Sequence, residues 1–350
     1  MLLSTALAAL TLSTLSEARP RHSSRQANNT TNTSSSTSLQ FLGINESGPE
    51  FGETSLPGTY NTDYTWLNLS TIDTFVAQGF NTFRINTLME RMVSTKDMTS
   101  ALDVAYMGNL TRDVEYITSL GAYAMIVPHN YGRFYSSIIT DSSAFSTFWT
   151  NVAKVYANNS KVIFDTNNEY HDMSCKLVAE LNQAAIDGIR SAGAVSQYIT
   201  VEGNAYSGAW TWTTQADAVD DLTNAETMGN LTDPSDKIIY EMHQYLDSDG
   251  SGTSETCVSS TIGSKRLVAA TEWLRANSKV GMIGEFAGAV NNICEEAIAD
   301  MLNYIAANSD VWNGALWWGA GPWWGDYMFS VEPADGVAFT TYVPMLAGYA

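Results

Sequence analysis

From Leu39 to Gly319, short apolar runs alternate with longer amphipathic stretches. The runs are rich in β-branched and aromatic residues and are bounded by Gly, Asn or Asp, which predicts strands. We predict eight of them, at Leu39–Glu46, Thr82–Asn86, Tyr123–Asn130, Val162–Glu169, Tyr198–Asn204, Lys237–Tyr245, Val280–Phe286 and Gly314–Gly319. The stretches between them repeat apolar residues with a helical period, which predicts helices at Ala101–Leu120, Leu177–Ala192, Leu267–Asn277 and Glu295–Ala307.

This alternation predicts parallel strands, because each parallel pair needs a long crossover connection. Eight strand–helix units favour a closed barrel over an open sheet, so the predicted fold class is α/β with a single (β/α)8 TIM barrel. The segment after the first strand, Gly48–Gly52, lacks the glycine spacing of a dinucleotide or nucleotide phosphate loop.

The chain divides into a short leader and one large domain. Residues 1–18 are apolar and end in a sequence that resembles a signal-peptidase site, so we predict a signal peptide. Residues 19–38 are polar and low in complexity, which predicts a pro-segment or disordered arm. Residues 39–350 form the predicted (β/α)8 domain.

Composition narrows the class of partner. The formal net charge is −20, which argues against nucleic acid or an anionic membrane as a partner. The predicted barrel contains no apolar run long enough to span a bilayer. Eight Asn-x-Ser/Thr sequons agree with a secreted, extracellular glycoprotein, and we expect a monomer that acts on a neutral substrate. The sequon at Asn45 lies at a predicted strand end, so we expect that residue to be buried in the site.

Three cysteines leave one without a partner. Cys257 and Cys294 follow the sixth and seventh predicted strands on loops at one face of the barrel, so we predict a disulfide between them. Cys175 begins a helical pattern and is predicted to be a buried small hydrophobic residue.

Two carboxylates stand at the ends of predicted strands. Glu169 closes the fourth strand and Glu285 lies near the end of the seventh. The carboxyl ends of barrel strands form the active face, and glycoside hydrolysis needs one carboxylic acid and one carboxylate around the scissile bond. The alternative is that each glutamate is an ordinary loop residue that follows a strand.

Three histidines fall at the same predicted face. His129 ends the third strand, His243 ends the sixth, and His171 follows Glu169 by two residues. Three strand ends that converge on a metal ion would be one use for them, but none of the pairs has helical i,i+4 spacing. Imidazoles that bond sugar hydroxyls or tune a carboxylate are the favoured interpretation, and we predict that no metal is bound.

A charged residue inside a strand needs a partner, and Arg84 lies inside the second one. It forms either a structural ion pair or a contact that keeps a catalytic carboxylate ionised.

Tryptophans cluster at the same end of the barrel. Flat indole rings on loops beside a carboxylate pair suit stacking on sugar rings, and we predict this outer role for Trp210, Trp212, Trp323 and Trp324.

Taken together, these residues resemble glycoside hydrolase family 5, and within it the fungal endo-β-1,4-glucanases. The resemblance runs from about Leu39 to the C-terminus and rests on the order and spacing of Phe83–Ile85, Val127–Tyr131, Asn168–Glu169, Glu241–Gly250, Ile283–Ala287 and Leu316–Trp318. One departure is Tyr170, which stands where the family usually has a proline after the acid/base glutamate.

The resemblance implies roles for individual residues. Glu169 would be the acid/base and Glu285 the nucleophile of a retaining mechanism, with carboxyl groups about 5–5.5 Å apart. The residues around them would be Arg84, His129, Asn168, His243, Tyr245 and Trp318. No metal or organic cofactor is implied, and the implied substrate is cellulose or a related β-glucan. Residues 39–350 would be the catalytic domain, and the absence of Cys from residues 1–38 argues against an attached carbohydrate-binding module.

Other functions stay open from the sequence alone. A β-mannanase or a xyloglucan or mixed-linkage glucanase would use the same catalytic residues, because specificity lies in loop contacts. A catalytically dead glycan-binding barrel would lack Glu169, Glu285 or Arg84, and all three are present. A structural wall protein would carry repeats or long Ser/Thr tracts beyond residue 38, and none occurs there.

Overall fold

A computed structural model describes residues 38–214, 216 and 218–350. The predicted signal peptide and nearly all of the predicted arm lie outside these residues. The eight barrel strands are β1 (Phe41–Glu46), β2 (Thr82–Thr87), β3 (Tyr123–Pro128), β4 (Val162–Asp165), β5 (Tyr198–Glu202), β6 (Ile238–His243), β7 (Gly281–Phe286) and β8 (Trp312–Ala320). All eight predicted strands are confirmed, with ends that shift by a few residues.

The strands pair in parallel in the order β1–β8–β7–β6–β5–β4–β3–β2, and β2 pairs with β1 to close the barrel. The helices that follow them are α1 (Leu69–Ala77), α2 (Val104–Ser119), α3 (Ser142–Tyr156), α4 (Cys175–Ser191), α5 (Asn224–Thr227), α6 (Ile262–Ala276), α7 (Asn292–Ala307) and α8 (Val337–Ala347). Shorter elements are a helical turn at Met89–Met92, 3₁₀ turns at Ala209–Thr211 and Met228–Asn230, and a hairpin of Arg133–Phe134 with Ser137–Ile138. The predicted (β/α)8 barrel is confirmed.

Side-chain caps fix where several helices begin. Asp103, Asp141 and Ser174 each accept a hydrogen bond from a backbone N–H in the first turn of α2, α3 and α4. Such caps satisfy donors that the helix itself leaves unpaired and add about 1 kcal/mol each. These helices therefore start close to the active face of the barrel, directly after the loops that carry its functional residues.

The interior of the barrel has an apolar layer and a charged layer. Six buried side chains from different strands fill the apolar layer: Phe41, Met125, Ile163, Ile239, Met282 and Leu316. Two residues further along their strands, Asp165 and Glu241 replace the apolar side chains of Ile163 and Ile239 on the same inward face. Gly284 leaves the space for Glu241, because a Cβ at position 284 would overlap that carboxylate.

Disulfide pairing follows the sequence prediction. Cys257 and Cys294 are bonded, and they link the loop after β6 to the first turn of α7. Cys175 is free and buried at the start of α4. Both predictions about the cysteines are confirmed.

Glu46 is a buried carboxyl group on the outward face of β1. Its neighbour Asn45 contacts Arg84 inside the barrel, whereas the charged groups that act on Glu46 are Glu332 and Asp113. Burial raises the pKa of Glu46 well above its usual range, and the negative charges of Glu332 and Asp113 raise it further. Ionised Glu46 therefore destabilises the fold.

We expect Glu46→Gln to stabilise the protein at pH 7 relative to the wild type. Because the pKa of Glu46 is raised in the folded state, its protonated carboxyl contributes fully to the free energy of unfolding below about pH 4.3, the unfolded-state pKa. That contribution is lost as the pH rises towards the folded-state pKa. Each unit of pKa shift corresponds to about 1.4 kcal/mol. Thermal melts at pH 4 and pH 7 measure the effect. An equal difference in melting temperature between the variant and the wild type at both pH values would contradict this prediction.

Candidate active site

The carboxyl ends of β2 and β4–β7 bring charged residues to one face of the barrel. Glu285 lies within β7, and His243 is the last residue of β6. Glu169 follows the end of β4 by four residues. Parallel strands present their carboxyl ends on the same side, so residues far apart in sequence converge there.

Arg84 is the centre of the charged layer. Its guanidinium is fully buried and contacts carboxylates from four other strands at 2.8–2.9 Å: Asp165, Glu202, Glu241 and Glu285. The sequence left a structural ion pair and support of a catalytic carboxylate as alternatives. The structure combines them: Arg84 forms buried ion pairs with Asp165, Glu202 and Glu241, and it also binds the candidate catalytic carboxylate of Glu285.

The guanidinium alone does not balance four buried carboxylates, so the protons divide unequally among them. Burial raises the pKa of Glu202 to about 8, and the charge of Glu241 adds to this rise. The pKa of Asp165 is also raised well above its usual range by burial and by the charges of Glu241 and Glu202. The pKa of Glu241 is lowered instead, because Arg84 and His243 outweigh the effect of its burial.

Glu285 remains ionised despite being buried. Burial alone would raise its pKa, but the charge of His243, the nearby imidazole of His129 and the charge of Arg84 lower it to about 2. One oxygen of Glu285 accepts a bond from Arg84 at 2.8 Å, and the other accepts a bond from the Tyr245 hydroxyl at 2.8 Å. A carboxylate held ionised at a fixed orientation is suited to act as a nucleophile.

His243 bridges the two candidate catalytic glutamates. Its Nδ1 lies 2.7 Å from a Glu169 oxygen and 3.5 Å from a Glu285 oxygen. Burial lowers the pKa of this imidazole, but the surrounding carboxylates, led by Glu285 and Glu202, raise it well above 6.5. The imidazole is therefore cationic at neutral pH and donates to Glu169. Facing oxygens of Glu169 and Glu285 lie within 4.8 Å of each other.

Glu169 has an unusual backbone conformation. Its φ angle is +49°, in the left-handed region that residues other than glycine seldom adopt. Its backbone N–H donates to Glu202 at 2.7 Å. Its side chain is 15% exposed, whereas the Glu285 side chain is 4% exposed, so Glu169 is the more open of the pair to an incoming ligand.

Asn168 has one bonded end and one free end. Its Oδ1 accepts a bond from Arg84 at 2.8 Å, which fixes the orientation of the amide. Its Nδ2 is buried and has no partner among the residues that the structure describes. A buried donor that is left open in this way is suited to bind a ligand hydroxyl.

The turn after Glu169 is held by packing. Tyr170, which stands where the family has proline, is fully buried, and its carbonyl accepts a bond from the Tyr206 N–H. Gly132, with φ of +71°, lies so close that a Cβ there would overlap the Tyr170 ring. The aromatic ring thus fixes the turn by contact with the loop after β3.

Aromatic rings form one wall beside Glu285. Trp318 stacks on His129 with ring centroids 5.5 Å apart and an angle of 24° between the planes. His129 also meets Tyr131 edge-on at 5.2 Å, and its Nε2 is 3.8 Å from a Glu285 oxygen. Trp318 and His129 therefore lie where the sequence placed them, next to the ionised carboxylate.

A cleft passes over both glutamates. On one side a cavity of about 620 Å³ is lined by residues that include Glu169, His171, Tyr206, Trp210 and Asp249. On the other side a cavity of about 400 Å³ is lined by residues that include Glu285, His129 and Trp318. Both cavities share Tyr131, Glu169, Tyr245 and Ser251, so they meet at the carboxylate pair.

The four tryptophans predicted to lie in outer positions differ in their exposure. Trp210 is 38% exposed and lines the larger cavity, and Trp323 is 41% exposed on the loop after β8. Trp324 is half-buried and stacks on Tyr327 at 4.4 Å. A role in outer sugar binding therefore stays a prediction for Trp210, Trp323 and Trp324.

The prediction for Trp212 is wrong. Its side chain is fully buried and packs edge-on against Trp273, with ring centroids 5.3 Å apart. The 3₁₀ turn at Ala209–Thr211 explains the difference from Trp210. With three residues per turn, positions two apart point in different directions, so one ring faces the cleft and the other faces the core.

Three residues of the site were not assigned a role from the sequence: Asp165, Glu202 and Glu241. Each closes or nearly closes an apolar strand pattern, and each is fully buried. The argument that identified Arg84, a charge inside a predicted strand, applied equally to them. Asn45 was expected to be buried in the site and is, with its Oδ1 accepting from Arg84 at 2.9 Å.

Within the part of the chain that the structure describes, two groups of side chains have the geometry of possible metal ligands: Glu169 with His243 and Glu285, and Glu202 with Glu241 and His243. His243 belongs to both, and its raised pKa keeps a proton on each ring nitrogen at neutral pH. Arg84 places a second cation against Glu202, Glu241 and Glu285. The carboxylates of both groups are therefore already paired with cationic side chains of the protein.

Two endo-β-1,4-glucanases are similar to this chain in sequence over most of its length. The chain is 55% identical to endo-β-1,4-glucanase B of Emericella nidulans, over 88% of this chain and 91% of that protein. It is 56% identical to endo-β-1,4-glucanase B of Aspergillus niger, over 89% of this chain and 90% of that protein. Both alignments span nearly all of the barrel.

Solved structures agree with the sequence comparison. The structure of XacCel5A in complex with cellopentaose is 35% identical, with a TM-score of 0.85, and covers 89% of this chain and 99% of that one. An endo-β-1,4-glucanase structure from Xanthomonas axonopodis pv. citri is 34% identical, with a TM-score of 0.84 and coverage of 89% and 99%. The family model for cellulase, glycosyl hydrolase family 5, matches residues 44–321. With its closed barrel and its paired strand-end glutamates, this chain belongs to glycosyl hydrolase family 5.

Proposed function

We propose that this protein is a secreted endo-β-1,4-glucanase that cleaves internal bonds of cellulose and related β-glucans with retention of configuration. The observation that carries the proposal is the carboxylate pair, whose facing oxygens lie within 4.8 Å. Retaining glycosidases hold their carboxyl groups about 5–5.5 Å apart, whereas inverting enzymes leave about 6.5–9.5 Å for a water molecule. The endo-β-1,4-glucanases among its relatives support the choice of substrate.

In the first step, Glu285 attacks the anomeric carbon while Glu169 protonates the leaving oxygen. The lowered pKa of Glu285, about 2, supports its role as the nucleophile. The Glu169 side chain is the more exposed of the pair, which leaves its carboxyl open to the leaving oxygen and supports its role as the acid. The bond that breaks joins the anomeric carbon to the leaving oxygen, and the bond that forms joins that carbon to Glu285.

In the second step, Glu169 acts as the base. It removes a proton from a water molecule that attacks the same carbon, and Glu285 leaves as a carboxylate. The Tyr245 hydroxyl and Arg84 then stabilise the charge that returns to Glu285. The open Nδ2 of Asn168 supports a hydrogen bond to the sugar 2-hydroxyl.

The two cavities support cleavage within a chain rather than at its end. Sugar units on both sides of the scissile bond would occupy the spaces around Trp318 and around Trp210. The solved complex of a relative with cellopentaose supports a linear glucan as the ligand of this cleft. Secretion is supported by the predicted leader. Separately, none of the described helices is long and apolar enough to cross a bilayer.

A reducing-sugar assay on carboxymethylcellulose, barley β-glucan, xylan, mannan and laminarin tests the proposed function. We expect the highest rates on the first two, with a rapid fall in viscosity that marks internal cleavage. Highest activity on mannan would assign the protein to the β-mannanases instead. A protein that binds these glucans but releases no reducing ends would be a dead glycan-binding barrel.

The assigned roles predict a difference between Glu169→Gln and Glu285→Gln. Both variants should lose nearly all turnover of polysaccharide. On dinitrophenyl β-cellobioside, whose leaving group needs little protonation, Glu169→Gln should still show a burst of dinitrophenolate, and Glu285→Gln should not. Stopped-flow absorbance measures the burst. Equal bursts, or none in either variant, would count against these roles.

The charge of His243 predicts a pH effect. Because its imidazolium lowers the pKa of Glu285, His243→Asn should raise that pKa and move the acid limb of kcat/KM to higher pH by about one unit or more. The matched control is His171→Asn, since His171 lines the same cleft but stacks on Tyr206. An unchanged acid limb in His243→Asn would remove His243 from this role.

Stacking predicts different kinetic effects for two tryptophans. Trp318 lies next to Glu285, so Trp318→Ala should lower kcat on every glucan by about tenfold, equivalent to about 1.4 kcal/mol of transition-state stabilisation. Trp210 lines the larger cavity away from Glu285, so Trp210→Ala should raise KM for long glucans and leave kcat nearly unchanged. Steady-state kinetics on cellodextrins of increasing length separate these effects. An unchanged kcat in Trp318→Ala would make that residue part of the core.

A further inference from the structure

We infer that Glu202 is a positioning residue that sets the geometry of proton donation by Glu169. This inference rests on the proposed function and assigns a role to a carboxyl group that touches neither the cleft nor the reacting atoms. Glu202 is the last residue of β5 and is fully buried. It contacts the backbone of the acid/base and the arginine that binds the nucleophile.

Both oxygens of Glu202 accept hydrogen bonds from different partners. Oε2 accepts from the backbone N–H of Glu169 at 2.7 Å, and Oε1 accepts from Nη2 of Arg84 at 2.9 Å. Arg84 binds Glu285 through its other terminal nitrogen at 2.8 Å. A single carboxyl group therefore ties the backbone of Glu169 to the support of Glu285.

The bond to Glu169 acts on a strained segment. A left-handed conformation costs a residue other than glycine about 1–2 kcal/mol, and it persists only where surrounding contacts impose it. With φ of +49°, Glu169 is in this conformation, and the bond to Glu202 is the contact that its own N–H makes. Without that bond we expect the turn to relax and the Glu169 carboxyl to leave its place beside His243.

The nucleophile depends less on Glu202. Glu285 keeps its bonds from Arg84 and Tyr245, and Arg84 keeps its contacts with Asp165 and Glu241. His243, which lies 3.6 Å from Glu202, keeps its contacts with Glu241 and Glu285. Loss of the Glu202 carboxyl should therefore weaken protonation of the leaving group more than nucleophilic attack. This difference separates a positioning role from a general effect on stability.

Glutamine cannot replace Glu202, although it has the same shape. A carboxyl oxygen retains an accepting lone pair even when it carries the proton, whereas an amide nitrogen only donates. In Glu202→Gln the amide nitrogen must face either the Glu169 N–H or the Arg84 guanidinium, which places two donors against each other. Glu202→Asp keeps the carboxylate but is one methylene too short to reach both partners.

Two substrates that differ only in the leaving group test this inference. For dinitrophenyl and phenyl β-cellobioside, kcat/KM reports the step in which the glycosyl-enzyme forms, and only the phenyl substrate depends strongly on proton donation. We expect Glu202→Gln to lower kcat/KM for the phenyl substrate about 10- to 100-fold, the effect of one unsatisfied buried donor. The loss on the dinitrophenyl substrate should be at most about threefold, since attack by Glu285 is retained. Both rates come from one preparation, so their ratio does not depend on the folded fraction.

The matched control is Glu46→Gln, which replaces another buried strand-end carboxyl that does not contact Glu169 or Arg84. Its ratio of the two rates should equal that of the wild type. Equal losses on both substrates in Glu202→Gln and Glu202→Asp, or failure of both variants to fold, would give Glu202 a purely structural role and overturn the inference. A wild type that hydrolyses neither cellobioside would instead refute the proposed function.

Discussion

A single guanidinium inside a closed barrel is the constraint on which the site depends. Arg84 is fully buried and contacts carboxylates from β4, β5, β6 and β7. Removing the guanidinium would leave buried carboxylates without their cation, and breaking a buried ion pair in this way typically destabilises a protein by about 3–5 kcal/mol. The strands that form the barrel and the groups proposed to carry the chemistry are thus held by the same contacts.

The excess of carboxylates over cations gives each group a different protonation state. Burial raises the pKa of Glu202 to about 8, whereas His243, His129 and Arg84 overcome burial and lower that of Glu285 to about 2. His243 becomes cationic because carboxylates surround it. Chemically similar carboxyl groups therefore differ because of their surroundings. Glu285 is ionised at the cleft, whereas Glu202, with its raised pKa, is buried behind Glu169.

The sequence predicted the barrel because both of its signals, the short apolar runs of strands and the amphipathic pattern of helices, are local. It also predicted Glu169, Glu285 and Arg84, since strand ends of a barrel share one face. It did not assign roles to Asp165, Glu202 and Glu241, although each is also a charge inside a predicted strand, because a strand pattern does not show which carboxylates a buried arginine contacts. The burial of Trp212 depended on a 3₁₀ turn that no periodic pattern marks.

The central claim is that this charge network makes Glu285 the nucleophile of a retaining reaction. A fluorinated cellobioside with a good leaving group, which forms the glycosyl-enzyme but slows its hydrolysis, tests it directly by intact-mass measurement and peptide mapping. We predict one added sugar per protein, attached to Glu285. Attachment to Glu169, or a first-formed product of inverted configuration without any covalent adduct, would contradict the account.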